Sequence, residues 1–141
     1  MMRTLVLDAG AFIAAERRDR QFAELIAAAV ADGATILLPA TVIAEIWRTP
    51  PRPRSKAVVE LADEIIALDA GLARRVGELI GEARSTQIVD GSVALVAIQA
   101  KPSIVLTSDP ADIASLLRTA GESFSIGLAA KVKAPIVIAR I

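Results

Sequence analysis

The feature that most constrains the fold is a short apolar run near the N-terminus that stops abruptly at an acidic residue. Residues 5–7 are Leu, Val and Leu, and Asp8 follows them directly. A continuous apolar run of this length is typical of a strand buried on both faces of a parallel sheet. Open α/β sheets bind ligands at the carboxyl ends of such strands, so Asp8 is the first candidate functional residue. The alternative is that Asp8 only caps the helix that follows.

Similar apolar runs recur along the chain and alternate with segments of helical periodicity. The predicted strands cover residues 5–7, 35–38, 65–68, 103–106 and 136–138. The predicted helices cover residues 11–17, 20–31, 55–62, 69–83, 85–100 and 110–121. A further helix is predicted between Thr41, which caps its start, and Pro50, which ends it. Residues 122–134 show no clear pattern. This alternation predicts one α/β domain over residues 1–141, with a parallel sheet of about five strands and helices on both faces.

The composition excludes several kinds of chemistry. The chain has no Cys, no His and no Tyr, so thiolate metal sites, disulfides, Cys nucleophiles and imidazole catalysis are all excluded. Any catalysis must use carboxylates, hydroxyls, Lys or Arg, or a hard metal ion bound through oxygen. The 16 basic and 16 acidic residues balance, so net charge indicates no polyanionic partner. No apolar run approaches the roughly 20 residues of a membrane span, and we expect a soluble, cytoplasmic protein.

Four acidic residues lie at strand ends or inside apolar helices. Asp8 and Asp109 follow predicted strands, whereas Glu45 and Asp90 interrupt apolar helices. Burying an unpaired carboxylate costs several kcal/mol, roughly, so each of them needs a partner. A shared Mg²⁺ or Mn²⁺ would accommodate all four, because hard cations prefer oxygen ligands. Asp112, at the start of the helix after Asp109, could support the cluster through water.

Each of these carboxylates also has a purely structural interpretation. Asp8 and Asp109 are suitable helix caps, and Asp90 is a suitable cap for a helix that begins at residue 91. Glu45 could pair with Arg48 one turn further along its helix. A separate feature is the cluster of basic residues between positions 48 and 56, which contains no acid and predicts either a phosphate-contacting strip or a solvated loop. Its members are Arg48, Arg52, Arg54 and Lys56.

The ordered set of segments LVLDAGAF, PATVIAEIWR, STQIVDGSVALVA and IVLTSDPADI resembles the PIN-domain ribonucleases, specifically the VapC-type toxins of toxin–antitoxin pairs. The resemblance implies a five-stranded parallel sheet, RNA cleavage and a divalent cation. It also implies the metal-binding residues, which are Asp8, Glu45, Asp90 and Asp109, with Asp112 as an auxiliary carboxylate. The sequence departs from the family at Gly10, where many members have a side-chain oxygen, and at Gly91, which we interpret as close helix packing.

The mechanism expected from these residues is hydrolysis of RNA phosphodiesters by a metal-activated water. Such a nucleophile needs no ribose 2′-OH, so the products should carry 5′-phosphate and 3′-OH ends. The resemblance further implies a homodimer and a small antitoxin as partner. The apolar side of the helices around Phe22 and Trp47 is the candidate surface for the antitoxin.

Two other classes of function stay open. A phosphohydrolase could use Asp8 as nucleophile, but the dehalogenase-type pattern has a second Asp two residues later, where this chain has Gly10. A non-catalytic RNA- or protein-binding module on the same fold is the other class. DNA in place of RNA as the substrate also stays open.

Overall fold

A computed structural model describes residues 3–127 and 134–141 of the chain. Within these ranges the helices are α1 (Gly10–Glu16), α2 (Arg20–Ala31), α3 (Ala40–Ile46), α4 (Pro53–Leu61), α5 (Ala70–Glu82), α6 (Ile88–Gln99) and α7 (Pro110–Thr119). The strands are β1 (Thr4–Leu7), β2 (Ile36–Pro39), β3 (Glu64–Ile66), β4 (Ser103–Thr107), β5 (Phe124–Ile126) and β6 (Ile136–Arg140). The predicted alternation of strands and helices is confirmed.

The strands form one sheet in the order β3-β2-β1-β4-β6-β5, and every pairing is parallel. The sheet has 6 strands, one more than the approximate count that the sequence indicated. The additional strand is the short edge strand β5, which lies in the stretch 122–134 where no pattern was visible. Residues 128–133 of that stretch lie outside the described residues.

The two central strands carry the most deeply buried apolar residues. Val6, Leu7 and Val105 are each 0% exposed, as expected for strands that helices cover on both faces. Helix α6 packs against β1, β2 and β4 with α5 and α7 beside it, while α1 packs against α2, α4 and β4. Right-handed crossovers place these two groups of helices on opposite faces of the sheet. Among the described residues, no helix is long and apolar enough to cross a membrane.

Three helix starts differ from the prediction by two residues or more, and one of them is that of α4, which begins at Pro53 instead of 55. Helix α3 begins at Ala40, directly after the extended Pro39, so Thr41 lies inside the helix and its buried hydroxyl has no partner among the described residues. Helix α6 begins at Ile88 instead of 85, because the Ser85 hydroxyl accepts a hydrogen bond from the Gln87 N–H at 3.1 Å and stabilises a turn before the helix. The helix start predicted at residue 69 is confirmed.

Gly91 allows α5 and α6 to approach closely, as the sequence predicted. A Cβ atom at position 91 would lie 2.8 Å from Ile80 Cγ2 and 3.0 Å from Val76 Cγ1 on α5. Both distances are shorter than ordinary van der Waals contact. The glycine therefore lets α6 lie close against α5. This close packing also sets the position of the preceding residue, Asp90, relative to the sheet.

Candidate functional site

The register of the two central strands brings their carboxyl ends together. Leu7 of β1 pairs with Leu106 of β4, and the Asp8 N–H continues the ladder by donating to the Leu106 carbonyl at 3.0 Å. Asp8 leaves β1 at the same edge of the sheet where β4 ends and the turn carrying Asp109 begins. Its carboxylate is buried, with 5% of the residue exposed.

Thr107 connects these two strand ends through its hydroxyl. Thr107 Oγ1 donates to Asp8 Oδ2 at 2.6 Å and accepts a hydrogen bond from the Asp109 N–H at 3.0 Å. The second oxygen of Asp8 accepts from the Ala9 N–H at 2.8 Å. Both carboxylate oxygens of Asp8 are thus held in place, and the turn to Asp109 is tied to them. Thr107 was not among the residues predicted from the sequence, although a hydroxyl residue that ends a wholly buried strand was the available signal.

Two helices contribute the other acidic residues of the cluster. Glu45 lies on α3 and is exposed, while Asp90 lies in the first turn of α6 and is half-buried. Helix α3 packs against α6, and α6 packs against β1. Asp112 is exposed in the first turn of α7, which begins directly after Asp109. We refer to Asp8, Glu45, Asp90, Asp109 and Asp112 together as the acidic cluster.

Burial and the neighbouring negative charges of the acidic cluster raise the pKa values of Asp8, Glu45 and Asp90. Burial is the largest cause of the raised pKa of Asp8; the hydrogen bonds from Thr107 and Ala9 oppose it, and the charges of Asp109 and Asp112 add to it. Partial burial, followed by the charge of Asp8, raises the pKa of Asp90 to about 6. The same two causes raise the pKa of Glu45. These side chains are therefore close enough to repel, and a bound cation would relieve that repulsion.

The structural interpretations of these acids do not account for them. Asp109 occupies the N-cap position of α7 but its side chain accepts no capping hydrogen bond, and Asp90 lies inside α6 instead of capping it. Arg48 donates to the Trp47 carbonyl at 2.7 Å, so it does not neutralise Glu45. Over residues 3–127 and 134–141, the one salt bridge joins Lys101 and Glu122 at 2.7 Å. The acidic cluster has no basic partner there.

The acidic cluster suits a hard divalent cation in chemistry but is not a closed cage. Carboxylate oxygens are the ligands that Mg²⁺ and Mn²⁺ prefer, and the uncompensated negative charge favours a cation. Within the part of the chain that the structure describes, no three acidic side chains converge closely enough to form a ready-made metal site. Mg²⁺ retains several of its waters when it binds, so an open arrangement of this kind fits it.

Gly10 is required where α1 passes the turn between β4 and α7. A Cβ atom at position 10 would lie 2.8 Å from the Ser108 backbone nitrogen and 3.0 Å from Ser108 Oγ. The space that a side chain at this position would fill is therefore occupied by Ser108, which lies between Thr107 and Asp109. The departure from the family pattern at position 10 thus has a packing reason.

The four predicted RNA-contacting residues do not form one continuous strip. Arg48 and Arg52 border a cavity of about 320 Å³ together with Trp47. Arg54 borders a separate groove that includes Phe22. Lys56 is exposed on α4. The structure places two of the four beside the segment that carries Glu45 and directs Arg54 toward a different face.

Comparison with known proteins gives a consistent result for the fold. The family model of the PIN domain matches residues 5–116. The structure is similar to one of FitAB bound to an IR36 DNA fragment, with a TM-score of 0.59, 16% identity, and 80% of this chain and 90% of that chain covered. It is also similar to FitAcB from Neisseria gonorrhoeae, with a TM-score of 0.57, 18% identity, and 80% and 93% covered. At these identities the two similarities support the fold alone, and a search of curated proteins gave no match.

Proposed function

Because the chain belongs to the PIN domain family, whose members are generally metal-dependent nucleases, we propose that it is a metal-dependent endoribonuclease and the toxin of a toxin–antitoxin pair. The observation that carries this proposal is the acidic cluster. The pKa values of Asp8, Glu45 and Asp90 are raised by burial and by neighbouring carboxylates, and the acidic cluster has no basic partner among residues 3–127 and 134–141. A purely structural site would neutralise such charges, whereas a cation site leaves them available.

In this proposal Asp8, Asp90 and Asp109 hold Mg²⁺ or Mn²⁺, and Glu45 completes the site or orients the attacking water. When bound, the cation supplies an activated water and stabilises the charge that develops on the phosphate. Thr107 fixes the orientation of Asp8, and the open side of the cluster, where Glu45 and Asp109 are exposed, gives a phosphodiester access. Asp112 supports the cluster from α7.

The proposed nucleophile predicts the chemistry of the product ends. The chain has no His, so the paired-imidazole route through a 2′,3′-cyclic phosphate is not available to it. Attack by water leaves a 5′-phosphate and a 3′-OH. The Arg48 and Arg52 guanidinium groups are near the segment after Glu45 and are proposed to contact the RNA backbone, with Arg54 and Lys56 adding to the positive potential further along α4.

We propose that the antitoxin docks on the groove between α2 and α4. This groove has a volume of about 590 Å³ and combines an apolar floor, which includes Phe22 and Ile26, with the charged residues Arg18 and Asp19 at its edge. An amphipathic segment of a partner matches this combination of surfaces. We also propose a homodimer for the free protein.

The decisive experiment is cleavage of total cellular RNA in the presence of Mg²⁺ or Mn²⁺ and in EDTA, with the product ends mapped. We expect cleavage by the wild type and by the control Asp32→Asn, which changes an exposed acid at the end of α2. We expect none in EDTA and none from Asp90→Asn. The products should carry 5′-phosphate and 3′-OH ends.

Other outcomes would favour the other functions. Cyclic phosphate ends, or full activity in EDTA, would contradict metal-activated water as the nucleophile. Binding of metal without cleavage of RNA or DNA would favour a non-catalytic binding module. Release of phosphate from small phosphate esters, with loss in Asp8→Asn but not in Asp90→Asn, would favour a phosphohydrolase that uses Asp8 as nucleophile.

A further inference from the structure

A cavity of about 320 Å³ lies between α1 and the segment that joins α3 to α4. Its lining combines the aromatic and aliphatic side chains of Trp47, Pro50 and Pro51 with the cationic side chains of Arg48 and Arg52. Trp47 is 36% exposed, which is unusual for a large aromatic side chain and leaves its ring accessible from the cavity. A flat aromatic surface beside two guanidinium groups is suited to a ligand that has both a planar ring and a phosphate.

Glu16, the last residue of α1, adds an acceptor to this cavity. Its Oε1 atom is buried and accepts no hydrogen bond from the described residues, although the side chain lines the cavity. A buried carboxylate oxygen without a donor is energetically costly, so rotation of the Glu16 carboxylate into the cavity, toward a ligand that brings N–H groups, would be favourable. An ionised carboxylate can accept two adjacent N–H bonds side by side.

Two segments of the chain connect the acidic cluster with the cavity. Helix α1 starts at Gly10 beside Ser108 and reaches Glu16 after roughly 9 Å of helix, at about 1.5 Å per residue. Helix α3 carries Glu45, and the chain passes from there through Trp47 into the cavity wall. If one nucleotide of an RNA strand occupied the cavity, the phosphate of a nearby nucleotide in the same strand would therefore reach the acidic cluster.

We propose that this cavity binds a guanine base of a single-stranded RNA substrate, an inference that rests on the proposed ribonuclease function and extends it to substrate choice. Trp47 stacks on the base, and Glu16 accepts hydrogen bonds from its N1–H and N2–H₂ groups. Arg48 and Arg52 contact the flanking phosphates. Guanine is the base whose pairing edge offers two adjacent donors to a carboxylate, whereas adenine and cytosine offer a single amino group there and uracil a single imino group.

The charges of the cavity favour this ligand over a basic side chain of a protein partner. An inserted Arg or Lys would suit Glu16 and Trp47 but would be repelled by Arg48 and Arg52, which give this wall a net positive charge. A nucleotide satisfies all four groups together, because its phosphate carries the negative charge and its base carries the donors.

The test uses the intrinsic fluorescence of the full-length protein. The chain has one Trp, so its emission reports directly on this cavity. The protein is titrated in EDTA with GMP, AMP, CMP and UMP, and is excited beyond the absorption of the nucleobases. We expect saturable quenching by GMP with an affinity roughly tenfold or more above that of the other three.

Three variants separate recognition of the base from a general effect on folding. Glu16→Gln should lower the affinity for GMP roughly tenfold without lowering that for AMP. Arg52→Ala, which changes an exposed side chain, should weaken all four nucleotides by a similar factor, since it removes a phosphate contact. Glu24→Gln on the exposed side of α2 is the control and should change nothing. Thermal melting of each variant identifies any that does not fold, and Arg52→Ala still tests the phosphate contact if Glu16→Gln is unstable.

Equal affinity for the four nucleotides, or no quenching by GMP, would overturn the inference. Saturable quenching by N-acetyl-arginine amide without a response to GMP would also overturn it, and would assign the cavity to a basic side chain of a protein. The assay contains no metal and needs no cleavage, so its result is independent of the test of the proposed function. A chain that binds GMP in this way but cuts no RNA would retain the guanine site and lose the nuclease proposal.

Discussion

The Thr107 hydroxyl donates a hydrogen bond of 2.6 Å to Asp8 Oδ2, and this contact joins the ends of the two central strands. The same hydroxyl accepts from the Asp109 N–H at 3.0 Å, so one side chain fixes a carboxylate of β1 and the turn after β4 together. Thr107 is 0% exposed, which makes this hydrogen bond inaccessible to competing water. We therefore regard Thr107 as a positioning residue of the acidic cluster.

Replacing Thr107 with Val should weaken binding of a divalent cation by roughly 10- to 100-fold, as is usual when a side chain that orients a metal ligand is lost. The variant keeps the shape of the side chain but leaves Asp8 with one donor fewer, which raises its pKa further. Calorimetric titration with Mn²⁺ measures the effect. Thr119→Val is the matched control, because the Thr119 hydroxyl donates only to a backbone carbonyl on the exposed side of α7. Equal losses in both variants would mean that Thr107 has no special role in the site.

Asp90 should make the protein less stable as the pH rises. Its pKa is raised from 3.8 to about 6, so between these values the folded chain retains a proton that the unfolded chain has released. The free energy of unfolding therefore falls as the pH increases from below 4 through about 6. A raised pKa of this size corresponds to about 3 kcal/mol, which we reduce to roughly 1 to 2 kcal/mol because Asp90 is partly solvated.

Urea denaturation of the metal-free protein at several pH values measures this contribution. Asp90→Asn should be roughly 1 to 2 kcal/mol more stable than the wild type at about pH 8 and equal to it at about pH 3.5. Addition of excess Mg²⁺ should remove the advantage of the variant, since the cation stabilises the wild type by binding to the folded state. A difference that did not change with pH would contradict the assignment of the raised pKa to Asp90.

Gly10→Ala should destabilise the protein by about 1 to 3 kcal/mol, because the new Cβ would meet backbone that cannot move aside easily. The Ser108 nitrogen would be 2.8 Å away, and displacement of this turn would shift Asp109 as well. We expect a lower melting temperature together with weaker binding of Mn²⁺. Gly77→Ala on α5 is the control; nothing lies within 4 Å of its Cβ, and it should stabilise the protein by roughly 0.5 to 1 kcal/mol.

Gly91→Ala should cost about 1 to 2 kcal/mol and should weaken metal binding less than Gly10→Ala, because it displaces Asp90 but not the turn that carries Asp109. Its Cβ would press on Ile80 Cγ2 and Val76 Cγ1, which are methyl groups of stiff β-branched side chains, so α6 has to move slightly away from α5. Thermal melting and Mn²⁺ titration of the two variants provide the comparison. A larger effect at position 91 than at position 10 would mean that packing between α5 and α6 limits the site more than the turn at Ser108.

The sequence predicted the parallel α/β fold because each buried strand is a continuous apolar run, as in residues 5–7 and 103–106. It did not reveal β5, since an edge strand of three residues has too little burial to produce a pattern. The helix start at Ile88 was displaced by local hydrogen bonding at Ser85, which propensity alone does not indicate. Apart from β5, these differences concern the ends of elements and not their existence.

Individual acidic residues could be named from the sequence, but their relationships could not. The contribution of Thr107 depends on the register of β1 against β4, which only the folded sheet defines. Arg54 lies on a different surface from Arg48 and Arg52 because of the direction in which α4 runs after the loop that precedes it. Both are consequences of tertiary packing between segments far apart in the chain.

Asp8 and the hydroxyl that orients it are separated by 99 positions, so they are made at very different times during synthesis. Domains form as units from the N-terminus as the chain leaves the ribosome, and β1 has no partner on its β4 side until most of the chain has emerged. An RNA-cutting centre built in this way would stay unassembled while the N-terminal part of the chain leaves the ribosome, which is itself largely RNA. The order of the strands would thus delay the proposed activity until β4 has been synthesised and has left the ribosome.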